Sequence, residues 1–175
     1  MSVDGVASII AHRLNLAALD AIKDIQWQHL RTTEAVTQQL WHFLAASSLH
    51  AAILAQIHCL NEDEQVQLKR LVPTRWLSCY ESVTATTNEL TSIWIALNQI
   101  LIERRYSSAK GSLYQTMKKK FIMSLNLFKN VLYHIKRLAL VFQQGALVYS
   151  QILSAIESCK KNFEGLEITK QQLKK

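Results

Sequence analysis

From Trp76 to Leu101 the chain repeats Trp76, Tyr80, Val83, Thr87, Leu90, Trp94, Leu97 and Leu101. The steps alternate four and three, the spacing that keeps one stripe of side chains on one side of a helix. A strand cannot carry that period, because its side chains alternate faces at every residue. The stripe predicts one long helix over nearly four heptads, buried along one side. Turn punctuation points the same way: Pro73 is the only proline and there are four glycines in 175 residues, too few for many strands and hairpins. With 49% hydrophobic residues the composition is that of a globular chain, and a chain of this length can bury about 70% of its unfolded surface. The expected fold is all-α: a bundle of five to six helices forming a single domain over residues 1–165, with residues 166–175 as a basic, frayed tail.

Helical spacing also marks the other elements. A first helix is expected from Ser8 to Ile25 and a second from Thr33 to Ala46, with Val36, Leu40, Phe43 and Leu44 on one face. Ser47-Ser48 reads as a cap for a third, in which Leu49, Ile53, Ile57 and Leu60 repeat. Asn61-Glu62-Asp63-Glu64 opens a polar link, and Pro73 disfavours helix at Val72, leaving Thr74 to cap the long helix. Glu103-Arg104-Arg105 ends that helix, and Ser107 to Gly111 reads as a loop. Leu113 to Phe142 is the next helix, with Leu113, Met117, Phe121, Leu125, Phe128, Leu132, Ile135 and Phe142 as its apolar arc. Gly145 is a stop before a last helix carrying Leu147, Leu153, Ile156 and Phe163.

Several kinds of chemistry lack their residues. No apolar run reaches the about 18 residues of a membrane span, and the first residues lack a basic-then-apolar signal layout. Cys59, Cys79 and Cys159 are odd in number and widely spaced, which argues against a disulfide scaffold and fits a reducing compartment, cytosol or nucleus. His42, His50 and His58 stand eight apart, so each is rotated away from the last on a helix, and no zinc-finger or His-Glu-x-x-His spacing occurs. Neither a Gly-x-Ser-x-Gly elbow nor a Gly-rich phosphate loop is present. Asp4, Asp20, Asp24 and Asp63 are scattered rather than gathered for two-metal phosphoryl transfer. No metal or other cofactor is expected.

Two segments carry a resemblance. Ile9-Ile10-Ala11-His12-Arg13-Leu14-Asn15 is similar to the Cys-x-x-His element of hAT-superfamily transposases, with His12 and Asn15 matching and Ile9 in the cysteine position. Thr74-Arg75-Trp76-Leu77-Ser78 resembles the Thr-Arg-Trp-x-Ser stretch of the same family's helical insertion domain. Between and after them, residues 33–48 and 125–143 resemble further helices of that domain, so the likeness runs over about residues 9–160. The nearest flavour is the host-encoded, zinc-finger-associated group. The resemblance implies a piece of the insertion domain without the RNase H-like sheet and its catalytic acids, hence no enzyme, and it implies a nuclear setting. It also implies that Arg75 and Trp76 stand close to DNA; a guanidinium pairs with phosphate and an indole stacks on an unpaired base. Trp76 is equally the first member of the heptad stripe, where an aromatic anchors a core.

The charge is lopsided. Residues 1–105 carry 8 Lys/Arg against 10 Asp/Glu, whereas residues 106–175 carry 12 against 3. Lys118, Lys129 and Lys136 fall nearly in line on a helix, and Lys119 and Arg137 widen the line into a strip. Such a strip suits weak, sequence-independent nucleic-acid binding, or simply a solvated face. The rival expectation is a protein-interaction module, homo- or hetero-oligomeric, using the stripe from Trp76 to Leu101.

Overall fold

The computed structural model describes residue 13 and residues 28–61, 68–72, 76–143, 150–151 and 153–162. Six helices are bounded within these: α1 (Gln28–Leu44), α2 (Ser48–Asn61), α3 (Trp76–Asn88), α4 (Leu90–Arg104), α5 (Ser107–Thr116) and α6 (Lys119–Gln143). Residues 153–162 form a further helix, α7. No strand occurs among the described residues, so the fold is an all-α bundle, as the periodicity predicted. The expected helix from Ser8 to Ile25, Gly145 with Leu147 and Phe163, and the tail at 166–175 lie outside the described residues.

The helices pack in two sets. The long α6 lies along α3 and α1, while α4 lies along α2 and α5. Phe121, Leu125, Phe128, Leu132 and Ile135 of the expected α6 arc are all buried, and they meet Leu30, Leu40, Leu44 and Val83 in one core. Each such side chain stabilises the bundle by about 1.5–3 kcal/mol through the apolar surface it removes from water. Val36, Leu40 and Leu44 are buried as the spacing requires, and Phe43 packs against the core from its edge.

The corner between α1 and α2 turns through 95°. Ser47 caps α2 as expected, its Oγ accepting the His50 amide at 3.4 Å. The His50 ring folds back on Phe43, with centroids 4.5 Å apart, and Nδ1 donates to the Phe43 carbonyl at 2.7 Å. A carbonyl can only accept, so Nδ1 carries the proton. Helix α1 is already formed at Gln28, five residues before its expected start at Thr33. Leu30 and Thr33 are both buried against the core, and that packing outweighs the poor helix propensity of the Thr32-Thr33 pair.

The single long helix expected from Trp76 to Leu101 is two helices, broken at Glu89, whose φ of −92° and ψ of 10° lie outside the helical basin. The sequence just before the break weakens the helix there. Thr86 and Thr87 turn their hydroxyls onto the carbonyls of Ser82 and Val83, at 2.9 and 2.7 Å, and such back-bonding weakens and bends helices. Asn88 follows as a poor helix former. The Glu89 carboxylate is then drawn across to His58 of α2, 2.6 Å away. With the helix broken, α3 can serve α6 while α4 serves α2 and α5. The heptad stripe is therefore not a free seam: Val83 and Leu97 are fully buried inside the chain, and Tyr80, Thr87, Leu90, Trp94 and Leu101 flank them half-buried.

The loop expected over Ser107 to Gly111 is the first half of α5. Arg105 closes α4 in the left-handed region at φ 52°, its amide bonded to the Leu101 carbonyl at 3.0 Å. The chain thus reverses in two residues and lays Ala109 into the core with no exposed surface. Packing at Ala109 and Leu113 overrides the loop-like composition of Ser107-Ser108 and Gly111. Helix α5 stops at Thr116, whose buried hydroxyl donates to the Ser112 carbonyl at 2.8 Å and accepts the Trp94 indole N–H at 3.1 Å. Met117 and Lys118 form the turn before α6, so Met117 is exposed rather than part of the apolar arc. In α7 the apolar positions Leu153 and Ile156 are each 43% exposed, and Cys159 is the residue that packs inward.

Candidate nucleic-acid interface

Six of the twelve basic residues in 106–175 stand on α6 and the turn before it. Between Arg104 and Ile156 the sequence contains no Asp or Glu, so no carboxylate on α5 or α6 neutralises them. Lys119 and Lys120 start α6, where the exposed amides and helix dipole already give positive potential. Lys118 is not on that helix. It sits in the turn with Nζ 4.5 Å from the ring centroid of Tyr114 on α5.

The middle and far parts of the strip lean on α3. Lys129 Nζ donates to Asn88 Oδ1 at 3.4 Å. Lys136 Nζ lies over the Tyr80 ring, 4.6 Å from its centroid. Tyr80 in turn faces Tyr133 at 6.1 Å, and the Arg137 guanidinium covers Tyr133 at 5.9 Å. Of the five cations named from the sequence, Lys129 and Lys136 are thus half-buried against α3, Arg137 lies exposed over Tyr133 beside them, and Lys118 and Lys119 are exposed around the start of α6. Each cation–aromatic contact at such exposed sites contributes about 0.5–1 kcal/mol and restrains a side chain that would otherwise be free. From Lys119 to Arg137 the strip is about 27 Å long at the helical rise. His134 lies beneath it; burial, and then the charge of Arg137, hold its imidazole below the usual histidine range.

The motif residues fare differently. His12, Asn15, Thr74 and Arg75 lie outside the described residues. Trp76 opens α3, but its side chain is not among those described. Ser78 is placed: its hydroxyl donates to the Arg70 carbonyl at 3.1 Å, and one residue on, Cys79 Sγ donates to the Val72 carbonyl at 3.2 Å. The two bonds fasten the segment 68–72 to the first turns of α3, so Ser78 serves the fold.

Three features were missed from the sequence. Tyr80 and Tyr133 steady the strip from two helices, and only the packing of α3 on α6 brings them together. Tyr114 with Lys118 is an i, i+4 pair inside the helix expected from Leu113, legible from helical spacing but not singled out. A cleft of about 760 Å³ between α1, α2 and the segment 68–72 is lined by Trp41, Ala51, Ala55, His58, Lys69 and Arg70. Here Arg70 lies over the Trp41 ring at 5.7 Å and Lys69 Nζ pairs with Glu81 at 2.9 Å.

Among the described residues no three His, Cys, Asp or Glu side chains come together. No single described helix is long and apolar enough to cross a membrane; α1 and α2 reach that length only as a pair bent by 95°. In comparisons with known proteins, no family model, no curated protein and no solved structure matches the chain.

Proposed function

We propose that the chain is a non-catalytic helical module that binds nucleic acid weakly and without sequence preference through the basic edge of α6. The observation that carries this reading is the set of cations Lys118, Lys119, Lys129, Lys136 and Arg137, spaced along α6 and the turn before it on a stretch of chain free of acidic residues. Fixed cations at spaced positions are what phosphate contacts require, and they give affinity that falls steeply with salt. The restraint of Lys136, Arg137 and Lys129 by Tyr80, Tyr133 and Asn88 favours binding, because less side-chain freedom is lost on contact.

The resemblance to hAT insertion domains supports the same reading and extends it to Arg75 and Trp76. A transposon-derived origin and a nuclear location belong to this proposal on that resemblance alone. The test is anisotropy of a labelled duplex at 50 and 200 mM salt. If six phosphates are engaged, affinity should fall about 10³-fold across that range. Absence of binding at 50 mM, or binding indifferent to salt, overturns the proposal.

A second reading, self-association, is favoured by Ile95 and Ile102, which are exposed seven residues apart on α4. Light scattering separates the two, since a dimer that persists at high salt belongs to an apolar face.

A further inference from the structure

We infer that Tyr114 is a stacking platform for an unpaired nucleobase, so that the module prefers single-stranded to duplex nucleic acid; the inference rests on the nucleic-acid reading above. Helix α5 has two unlike faces. Ala109 and Thr116 point into the core with no exposed surface, while Lys110, Gly111 and Tyr114 are exposed, with Met117 and Lys118 exposed in the turn that follows. Tyr114 is the aromatic at the centre of that stripe and is 69% exposed. Lys110 and Lys118 bracket it at four residues on either side, and the Lys118 ammonium rests on its ring at 4.5 Å. An aromatic ring this open to water has little role in holding the bundle together.

Gly111 is the second observation. It stands inside α5, its φ is not positive, and a Cβ built there meets nothing within 4 Å. Neither backbone conformation nor close packing requires a glycine, although glycine in a helix interior weakens the helix. What the missing side chain does provide is bare backbone one turn before Tyr114, room for a flat ring to lie against the phenol. A ring flanked by lysines, with open space beside it and no carboxylate between Arg104 and Ile156, has the parts of a single-strand contact: a π-face for the base on the side that Lys118 leaves uncovered, and cations for the phosphates around it. Duplex bases are already stacked on one another, so a duplex can use the lysines but not the ring.

The test uses the full chain and two fluorescein-labelled probes, a 12-nucleotide oligothymidine and a 12-base-pair duplex, at low salt. Tyr114→Ala should weaken oligothymidine binding by about 5- to 100-fold and the duplex far less, because the duplex loses only the restraint on Lys118. Tyr114→Phe, which keeps the ring, should bind like the wild type. Gly111→Leu, which fills the space, should reproduce the loss for the single strand alone. Both positions are exposed, and a cooperative thermal melt no lower than that of the wild type confirms that each variant is folded. If the wild type binds neither probe, the nucleic-acid reading fails and takes this inference with it. If it binds both and Tyr114→Ala changes neither, or changes both equally, the platform alone is overturned. Equal affinity for a polyglutamate peptide also overturns it, since that needs charge without stacking.

Discussion

His58 Nε2 sits 2.6 Å from Glu89 Oε2, and both side chains are almost wholly removed from water. The pair joins α2 to the residue at which α3 gives way to α4, across 31 positions of sequence. A polar pair buried this deeply stabilises little as a whole, because desolvation offsets most of what it gains. Removing one member is costly, since the other is left buried without a partner.

Glu89→Leu and His58→Leu should each lower stability by about 1–3 kcal/mol. The double replacement His58→Leu with Glu89→Leu should lie closer to the wild type than either single change. Urea denaturation of the four proteins measures this as a double-mutant cycle. Additive losses would mean that the two groups do not act as a pair.

Glu34 predicts a pH effect with a definite sign. Burial raises its carboxyl above the ordinary value of 4.5, and Arg31 offsets this only in part. A raised carboxyl favours the folded state when protonated, so its contribution is full below about 4.5 and is lost as pH rises through the folded value. Glu34→Gln should therefore raise the melting temperature at pH 7 and leave it nearly unchanged at pH 4. A gain that grows on acidification would contradict this assignment.

The three thiols should separate in reactivity. Cys59 is exposed on α2. Cys79 is buried, with its Sγ on the Val72 carbonyl, and burial together with the nearby charge of Glu34 pushes its thiol up to about 12. Burial raises the Cys159 thiol as well. The thiolate is the reactive form, so iodoacetamide at pH 8 should modify Cys59 first, Cys159 later, and Cys79 only on unfolding. Mass spectrometry of a labelling time course reads the order; simultaneous modification of Cys59 and Cys79 in the folded protein would contradict the packing of α3 on segment 68–72.

The sequence by itself determined that the chain is helical and which side of α6 is buried. Phe121, Leu125, Phe128, Leu132 and Ile135 lie 3 or 4 residues apart, and that local spacing is enough to place them on one face. The Ser47 cap and the basic composition of α6 were legible for the same reason, because each depends on neighbours within about one or two turns. Only the tertiary structure decided that the regular stripe from Trp76 to Leu101 breaks at Glu89, since the partner that draws Glu89 aside is His58 on another helix. It also decided that Ser107 to Gly111 is helical, through the burial of Ala109, and that Lys129 and Lys136 are braced by Asn88 and Tyr80. Periodicity reports which residues share a face; it carries no information about what stands opposite, and at Glu89, Ala109 and Lys136 the opposite surface set the outcome.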